Sequence, residues 1–294
     1  MKIIDLIQNK KKPLLSFEVF PPNRNSSFDS VENALGELAQ LQPDFISVTY
    51  GAAGGGREQT AAIAGLIRKK HSIEALAHLT CIGAGKTELI ERFAEMQQAG
   101  VKNVLAMRGD LPTEGDNSSP DDYRFASDLI AELKTSWPEA CIAAACYPEG
   151  HIECDSLVRD IQHLKYKVDT GADFLISQLF FDNELYYAFL DRAAAAGIRI
   201  PILPGIMPVL GKKQILRIIS LCGATLPKKF ARLLNRYEND PQSMEAAGIA
   251  YATEQIIDLI ASGAEGIHLY TMNKPHVAQA ICNNISALRK PSDA

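Results

Sequence analysis

Eight short apolar runs, separated by amphipathic stretches, constrain the fold more than any single motif. They are LLSFEVF (14–20), DFISVTY (44–50), EALAHLTC (74–81), NVLAMRGD (103–110), CIAAACY (141–147), FLISQLFF (174–181), IPILPGI (200–206) and GIHLYTM (266–272). They are rich in apolar residues at both alternating positions, as in parallel strands covered on two faces. The intervening segments SVENALGELAQL, TELIERFAEMQQAG, SLVRDIQHLKYKVDTGA and NELYYAFLDRAAAAG carry helical periodicity. Gly100, Gly171 and Gly197 stand where C-cap glycines belong. Eight β/α units in 294 residues predict an α/β chain folded as a (β/α)8 TIM barrel, with an extra helical insertion over roughly 211–262 before the last strand.

A doubly wound sheet would also alternate, but it calls for a phosphate-binding glycine turn after an early strand. The glycine-rich stretch GAAGGGRE (51–58) does not fit G-x-G-x-x-G and lacks a P-loop lysine, so it reads as a loop on the active face. No repeat, low-complexity tract or linker interrupts the pattern, so 1–294 is expected to be a single domain, its RKPSDA tail frayed.

At 47% hydrophobic, the chain has enough apolar material for a large core. A net charge of −5 and a pI near 5.7 offer no basic field to nucleic acid, so an anionic ligand has to be met by local Lys or Arg. MKIIDLIQNKKKP has a short apolar run and no cleavage-like small residues after it. It is expected to be an amphipathic helix capping the fold rather than a signal peptide, and no apolar stretch approaches a membrane span. Cys81, Cys141, Cys146, Cys154, Cys222 and Cys282 form no CxxC pair, which suits free thiols in a cytoplasmic protein.

In a barrel of this kind function sits at the C-terminal strand ends. Read in order, these ends offer Glu18, then Thr49 and Tyr50, His78, then Arg108, Gly109 and Asp110, then Tyr147 with His151, Gln178, and Tyr270 with Asn273 and Lys274. Glu18 is the most demanding. It lies between Phe17 and Val19 in a strand that Pro21 and Pro22 cut short. A buried, unpaired carboxylate costs several kcal/mol, so either a hidden cation holds it or the site keeps a proton on it.

Bland readings stay open beside this one. Glu18 could pair with Arg108, His78 could be a core histidine, and Arg108 with Asp110 could brace a turn. Asp160, His163 and Lys167 could form a solvated helix face, and Phe180–Phe181 reads as core or pocket wall. There is no HExxH, no closely spaced His pair and no GxSxG elbow, so no metal site is expected. One buried acid with hydrogen-bonding groups and a few cations suits a bound organic cofactor.

The landmarks SFEVFPP, SVTYGAAGGG, AHLTC, RGDLP, CYPEGH, KYKVDTGAD, ISQLFFD, PGIMPV with Gln214, and HLYTMNK occur in one order. Over about residues 14–290 they resemble the methylenetetrahydrofolate reductase family. The resemblance implies a flavin-dependent barrel that reduces 5,10-methylenetetrahydrofolate to 5-methyltetrahydrofolate. NADH or NADPH would donate electrons, ping-pong through non-covalent FAD, and the product would feed methionine synthesis. By the same resemblance Glu18 is the general acid that protonates a bridge nitrogen, and Asp110 lies between flavin and pterin. Gln178 meets folate and nicotinamide in turn, and Gln214 and Lys274 contact folate. FAD is expected on Thr49, Tyr50, Ala52, His78, Arg108, Gly109, Asp110, Ala126, Tyr147, His151, Asp160, His163, Tyr166 and Lys167. Arg108 and Lys167 are the cations for its diphosphate.

The chain departs from that pattern at three positions. His163 and Tyr166 stand where relatives can show Asn and Arg, and Lys274 replaces an Arg, keeping the charge but losing the bidentate fork. The match covers one barrel without the regulatory domain of larger members, and a homo-oligomer is expected. Rivals are a flavin barrel acting on another substrate such as proline, a flavin-free barrel lyase or aldolase, and a silent ligand-binding barrel.

Overall fold

Leu14, Ser16 and Glu18 alternate with Leu15, Phe17 and Val19 along the first strand, and this two-residue parity sorts the strand side chains between the inside and the outside of a barrel. The structure is a computed structural model that describes residues 1–22, 26–50, 59–110 and 122–290. Among these, the strands are β1 Leu14–Val19, β2 Phe45–Val48, β3 Glu74–Thr80, β4 Asn103–Met107, β5 Cys141–Cys146, β6 Phe174–Ser177, β7 Ile202–Leu203, β8 Gly205–Ile206 and β9 Gly266–Tyr270. The helices are α1 Ile3–Gln8, α2 Phe28–Gln40, α3 Gln59–His71, α4 Lys86–Gln98, α5 Ala126–Ser136, α6 Leu157–Thr170, α7 Asn183–Ala195, α8 Lys212–Cys222, α9 Lys228–Tyr237, α10 Pro241–Ala261 and α11 Pro275–Ile285.

All strand pairings are parallel, in the order β7-β6-β5-β4-β3-β2-β1-β9-β8. The two ends of that order are halves of one barrel strand. Pro204 separates them: having no N–H to give to a ladder, it splits IPILPGI into β7, which pairs with β6, and β8, which pairs with β9. The Pro204 carbonyl still accepts from His268 N at 2.9 Å. The barrel is thus a (β/α)8 fold drawn with nine strand segments.

Val19, Leu35, Ile46, Ile63, Ala77, Leu89 and Val104 belong to the apolar layer between strands and helices. Leu14, Phe45, Leu76, Leu105, Cys141 and Phe174 fill the lower interior, and Ile3 and Ile7 of α1 pack onto them, closing the N-terminal end. Asn103 pins that plug: its Oδ1 accepts from Ile3 N at 2.7 Å and its Nδ2 donates to Ala75 O at 3.1 Å. Three helices, α8 to α10, lie between β8 and β9, around Phe181, Met207, Ile215, Phe230, Leu234 and Met244. Helix starts follow local chemistry, with Ser27, Ser156, Asp182 and Asp240 side chains capping α2, α6, α7 and α10. No helix among the described residues is long and apolar enough to cross a membrane.

Candidate active site

Above the apolar floor, the barrel interior turns polar. Ser16 and Glu18 on β1, Ser47 on β2, His78 on β3 and His268 on β9 are all buried. Register places Glu18 beside Ser47 on one flank and Tyr270 on the other. Glu18 is 6% exposed, and its Oε2 lies 3.5 Å from His78 Nε2 and 3.5 Å from His268 Nε2. Among the described residues no Lys or Arg comes within ion-pair distance of it, so the pairing with Arg108 that the sequence left open does not occur. Burial pushes the His78 imidazole down from 6.5 to about 4, against the opposing pull of Glu18. A neutral imidazole, not a cation, therefore faces the carboxyl at neutral pH.

Tyr270 closes the next step of the interior. Its hydroxyl donates to Ser177 O at 2.8 Å, and burial raises its pKa far above the phenol value. Gly205 leaves room for that bond, because a Cβ there would collide with Ser177 O and lie 2.7 Å from the Tyr270 hydroxyl. Gln178 follows Ser177 directly. Its N donates to Cys146 O at 2.7 Å, and its Oε1 accepts from Leu179 N at 2.9 Å, leaving the amide NH2 for a ligand.

A cleft of about 870 Å3 opens at the C-terminal ends of β4 and β5 against α5 and α6. Tyr50, Arg108, Gly109, Asp110, Ala126, Tyr147, His151, Asp160, His163, Tyr166, Lys167 and Gln178 all line it. The turn after β4 depends on Gly109, whose φ of +92° and close approach to Ile82 and Thr80 exclude a side chain. Arg108 leaves that turn with its guanidinium held bidentately by Glu153, at 2.6 and 2.5 Å, which raises its pKa further. The charge of the exposed Asp110 also raises the Arg108 pKa, more weakly than Glu153.

The far wall comes from α6. Asp160 is 8% exposed, and its Oδ1 accepts from His151 N at 3.2 Å, so this face is not merely solvated. One further turn brings His163, and two turns bring Tyr166 and Lys167, to the same cleft. Lys167 Nζ donates to Ala145 O at 2.7 Å, and burial lowers its pKa. Tyr147 stacks edge-on against His151 with centroids 4.7 Å apart. Burial raises the Tyr147 phenol to about 12, whereas burial and nearby Arg108 lower His151. Tyr166, Phe125, Ile152 and Leu221 form an exposed apolar margin.

Not every expected residue joins this cleft. Thr49 is tied at its backbone, its N donating to Val19 O at 3.0 Å and its carbonyl accepting from Thr60 Oγ1 at 3.0 Å. Glu18 and His78 sit in the barrel interior rather than on the cleft wall, and Gln214 on α8 and Lys274 at the start of α11 are exposed away from it. Ala52 lies outside the described residues. Conversely, the sequence reading passed over Ser16, Ser47, His268 and Glu153. Ser16 and His268 share strand parity with Glu18 and Tyr270, two positions away in each case, while Ser47 joins them through its register with Glu18. Glu153 sits in a turn with no periodic signal.

The donors present suit a dinucleotide such as FAD. Two cations, Arg108 and Lys167, share one cleft with a buried acceptor, Asp160, and the volume is in the upper range for ligand pockets. Comparison with known proteins bears on the family of the chain. Residues 2–286 match the family model described as "Methylenetetrahydrofolate reductase". A 5,10-methylenetetrahydrofolate reductase of Pectobacterium carotovorum subsp. carotovorum is 36% identical over 271 residues, covering 92% of this chain and 89% of that one. The Arabidopsis thaliana protein named methylenetetrahydrofolate reductase (NADH) 1 is 31% identical, and the match covers 98% of this chain but 51% of the plant protein. A solved Clostridium thermocellum protein, described as binding two copies of 5-methyl-5,6,7,8-tetrahydrofolic acid, shares the fold at a TM-score of 0.64, with 12% identity and 98% of each chain covered. The chain belongs to the methylenetetrahydrofolate reductase family.

Proposed function

We propose that this protein is a flavin-dependent reductase that converts 5,10-methylenetetrahydrofolate to 5-methyltetrahydrofolate, with NADH or NADPH as electron donor. The observation that carries the reading is the environment of Glu18: a buried carboxyl facing two imidazoles and no Lys or Arg among the described residues, beneath a cleft that Arg108 and Lys167 line. Such a carboxyl is well suited to holding and delivering a proton.

Arg108 and Lys167 would hold the FAD diphosphate, and Asp160 would accept from ribose hydroxyls. When bound, the flavin supplies two-electron transfer between nicotinamide and folate. Glu18 gives its proton to the bridge nitrogen of the methylene-bridged ring, opening it to an electrophilic iminium. Asp110 accepts from the amino and ring N–H groups of the pterin and offsets the positive charge that develops. Gln178 positions folate and nicotinamide in turn with its free amide NH2. Lys274 and Gln214 would reach the folate beyond the cleft wall.

Glu18→Gln tests this. The variant keeps the side chain's shape but holds no transferable acidic proton. Folate reduction should fall at least a thousandfold, beyond the ~10²–10⁴ range's lower half for a lost acid, while nicotinamide still reduces the flavin. Survival of both half-reactions would remove Glu18 from the role.

A further inference from the structure

His268 is completely buried, stacks on Phe45 at 6.0 Å and 16°, and has no part in the cleft. Its two ring nitrogens nevertheless touch the polar interior. Nδ1 lies 2.8 Å from Ser16 Oγ; Nε2 lies 3.4 Å from Ser47 Oγ and 3.5 Å from Glu18 Oε2. The Ser16 hydroxyl also reaches Ile267 O, at 3.3 Å, and a carbonyl can only accept. If the single hydroxyl proton goes there, Ser16 Oγ accepts from Nδ1–H, and Nε2 carries a lone pair.

The other contacts agree with that tautomer. Ser47 Oγ has a proton to give to Nε2. An Nε2–H facing a carboxylate would draw in to the 2.7–2.9 Å of a charge-assisted bond, roughly; the separation here is 3.5 Å. Two acceptors face each other across that gap unless a proton sits between them.

We propose that His268 is a positioning residue for Glu18: Ser16 fixes it as the Nδ1–H tautomer, so that its Nε2 lone pair favours a proton on Glu18 Oε2 and opposes the bare carboxylate. This rests on Glu18 being the acid. The proton that leaves Oε2 goes to the substrate nitrogen, and solvent restores it before the next turnover. The other groups facing Glu18 do not replace this effect. His78 Nε2 stands at the same 3.5 Å from the same oxygen but has no hydrogen-bond partner among the described residues, whereas Ser16 and Ser47 both contact the His268 ring; Tyr270 is the flank of Glu18 in the register, and Ser47 cannot titrate.

Two measurements test the proposal. The first is nitrogen-15 NMR of the resting, histidine-labelled protein, with the His268 signals assigned by their loss in His268→Gln. A protonated Nδ1 and bare Nε2 are expected, moving toward Nε2–H in Ser16→Ala and returning in Ser16→Thr. The second is the pH profile of the folate half-reaction. In Ser16→Ala its alkaline limb should move down by about one unit, a loss of about tenfold above the limb. That loss should recover as pH falls and be reversed in Ser16→Thr. Nε2–H in the wild type, or a Ser16→Ala loss equal at every pH, overturns the proposal. Because the NMR result does not depend on turnover, it stands apart from a failure of Glu18 itself, which the Glu18→Gln half-reactions report.

Discussion

Glu153 occupies both terminal nitrogens of Arg108, at 2.6 and 2.5 Å, inside the cleft where an anion would bind. The carboxylate is half-exposed, so the pair contributes little to stability, about 0–1 kcal/mol. It matters more for binding, because a diphosphate has to displace it. Glu153→Gln should tighten FAD binding to the apoprotein by up to about fivefold, the equivalent of that same energy. Arg108→Gln should weaken it by about tenfold or more, as expected for a lost charge-assisted bond. Titration of flavin fluorescence against both variants measures this. Weaker binding in Glu153→Gln would mean that Glu153 orients Arg108 for the ligand instead of competing with it.

His78 makes stability depend on pH in a defined window. Burial holds its folded-state pKa at about 4, against 6.5 for the free side chain. As pH falls below 6.5, the unfolded chain takes up a proton that the folded one refuses until about pH 4. Stability is therefore lost across that interval, by up to about 3 kcal/mol from this group. Urea unfolding of the wild type and His78→Gln between pH 7 and 4 should show a shallower decline in the variant. Parallel declines would assign the acid sensitivity to other groups.

Asn103 couples the first helix to the barrel floor through bonds to Ile3 N and Ala75 O, with a longer one to Met1 O. Asn103→Leu keeps the volume but leaves these buried groups without the side-chain partner. A loss of about 2 kcal/mol is expected, together with faster hydrogen exchange at the Ile3 amide. An unchanged denaturation midpoint would show that the apolar contacts of Ile3 and Ile7 suffice.

Much of this architecture could be read from the residues because parallel strands covered on both faces leave dense apolar runs, and glycines mark the helix ends. The ends of those runs were less legible. DFISVTY and FLISQLFF run on through Tyr50 and through Leu179, Phe180 and Phe181, yet the ladder stops at Val48 and Ser177, just before Thr49 and Gln178. IPILPGI reads as one strand, but Pro204 divides its hydrogen bonding between two neighbours. The same limit applies to the site. Glu18 stands out as a charge within an apolar run, and Arg108 and Asp110 as polar residues after one. The parity of His268 with Tyr270 gives its inward face, but what it touches depends on register with β1 and β2, which no local pattern specifies. The Glu153–Arg108 fork joins residues 45 positions apart.

The central claim is that one flavin passes electrons from nicotinamide to methylenetetrahydrofolate. The most direct measurement is flavin absorbance of the purified, FAD-loaded protein under anaerobic conditions, first with NADH and then with methylenetetrahydrofolate. Bleaching by NADH and full recovery on adding the folate is the expected result. A reduced protein whose absorbance does not recover with the folate, or a protein that shows no flavin signal after FAD is supplied, would contradict it.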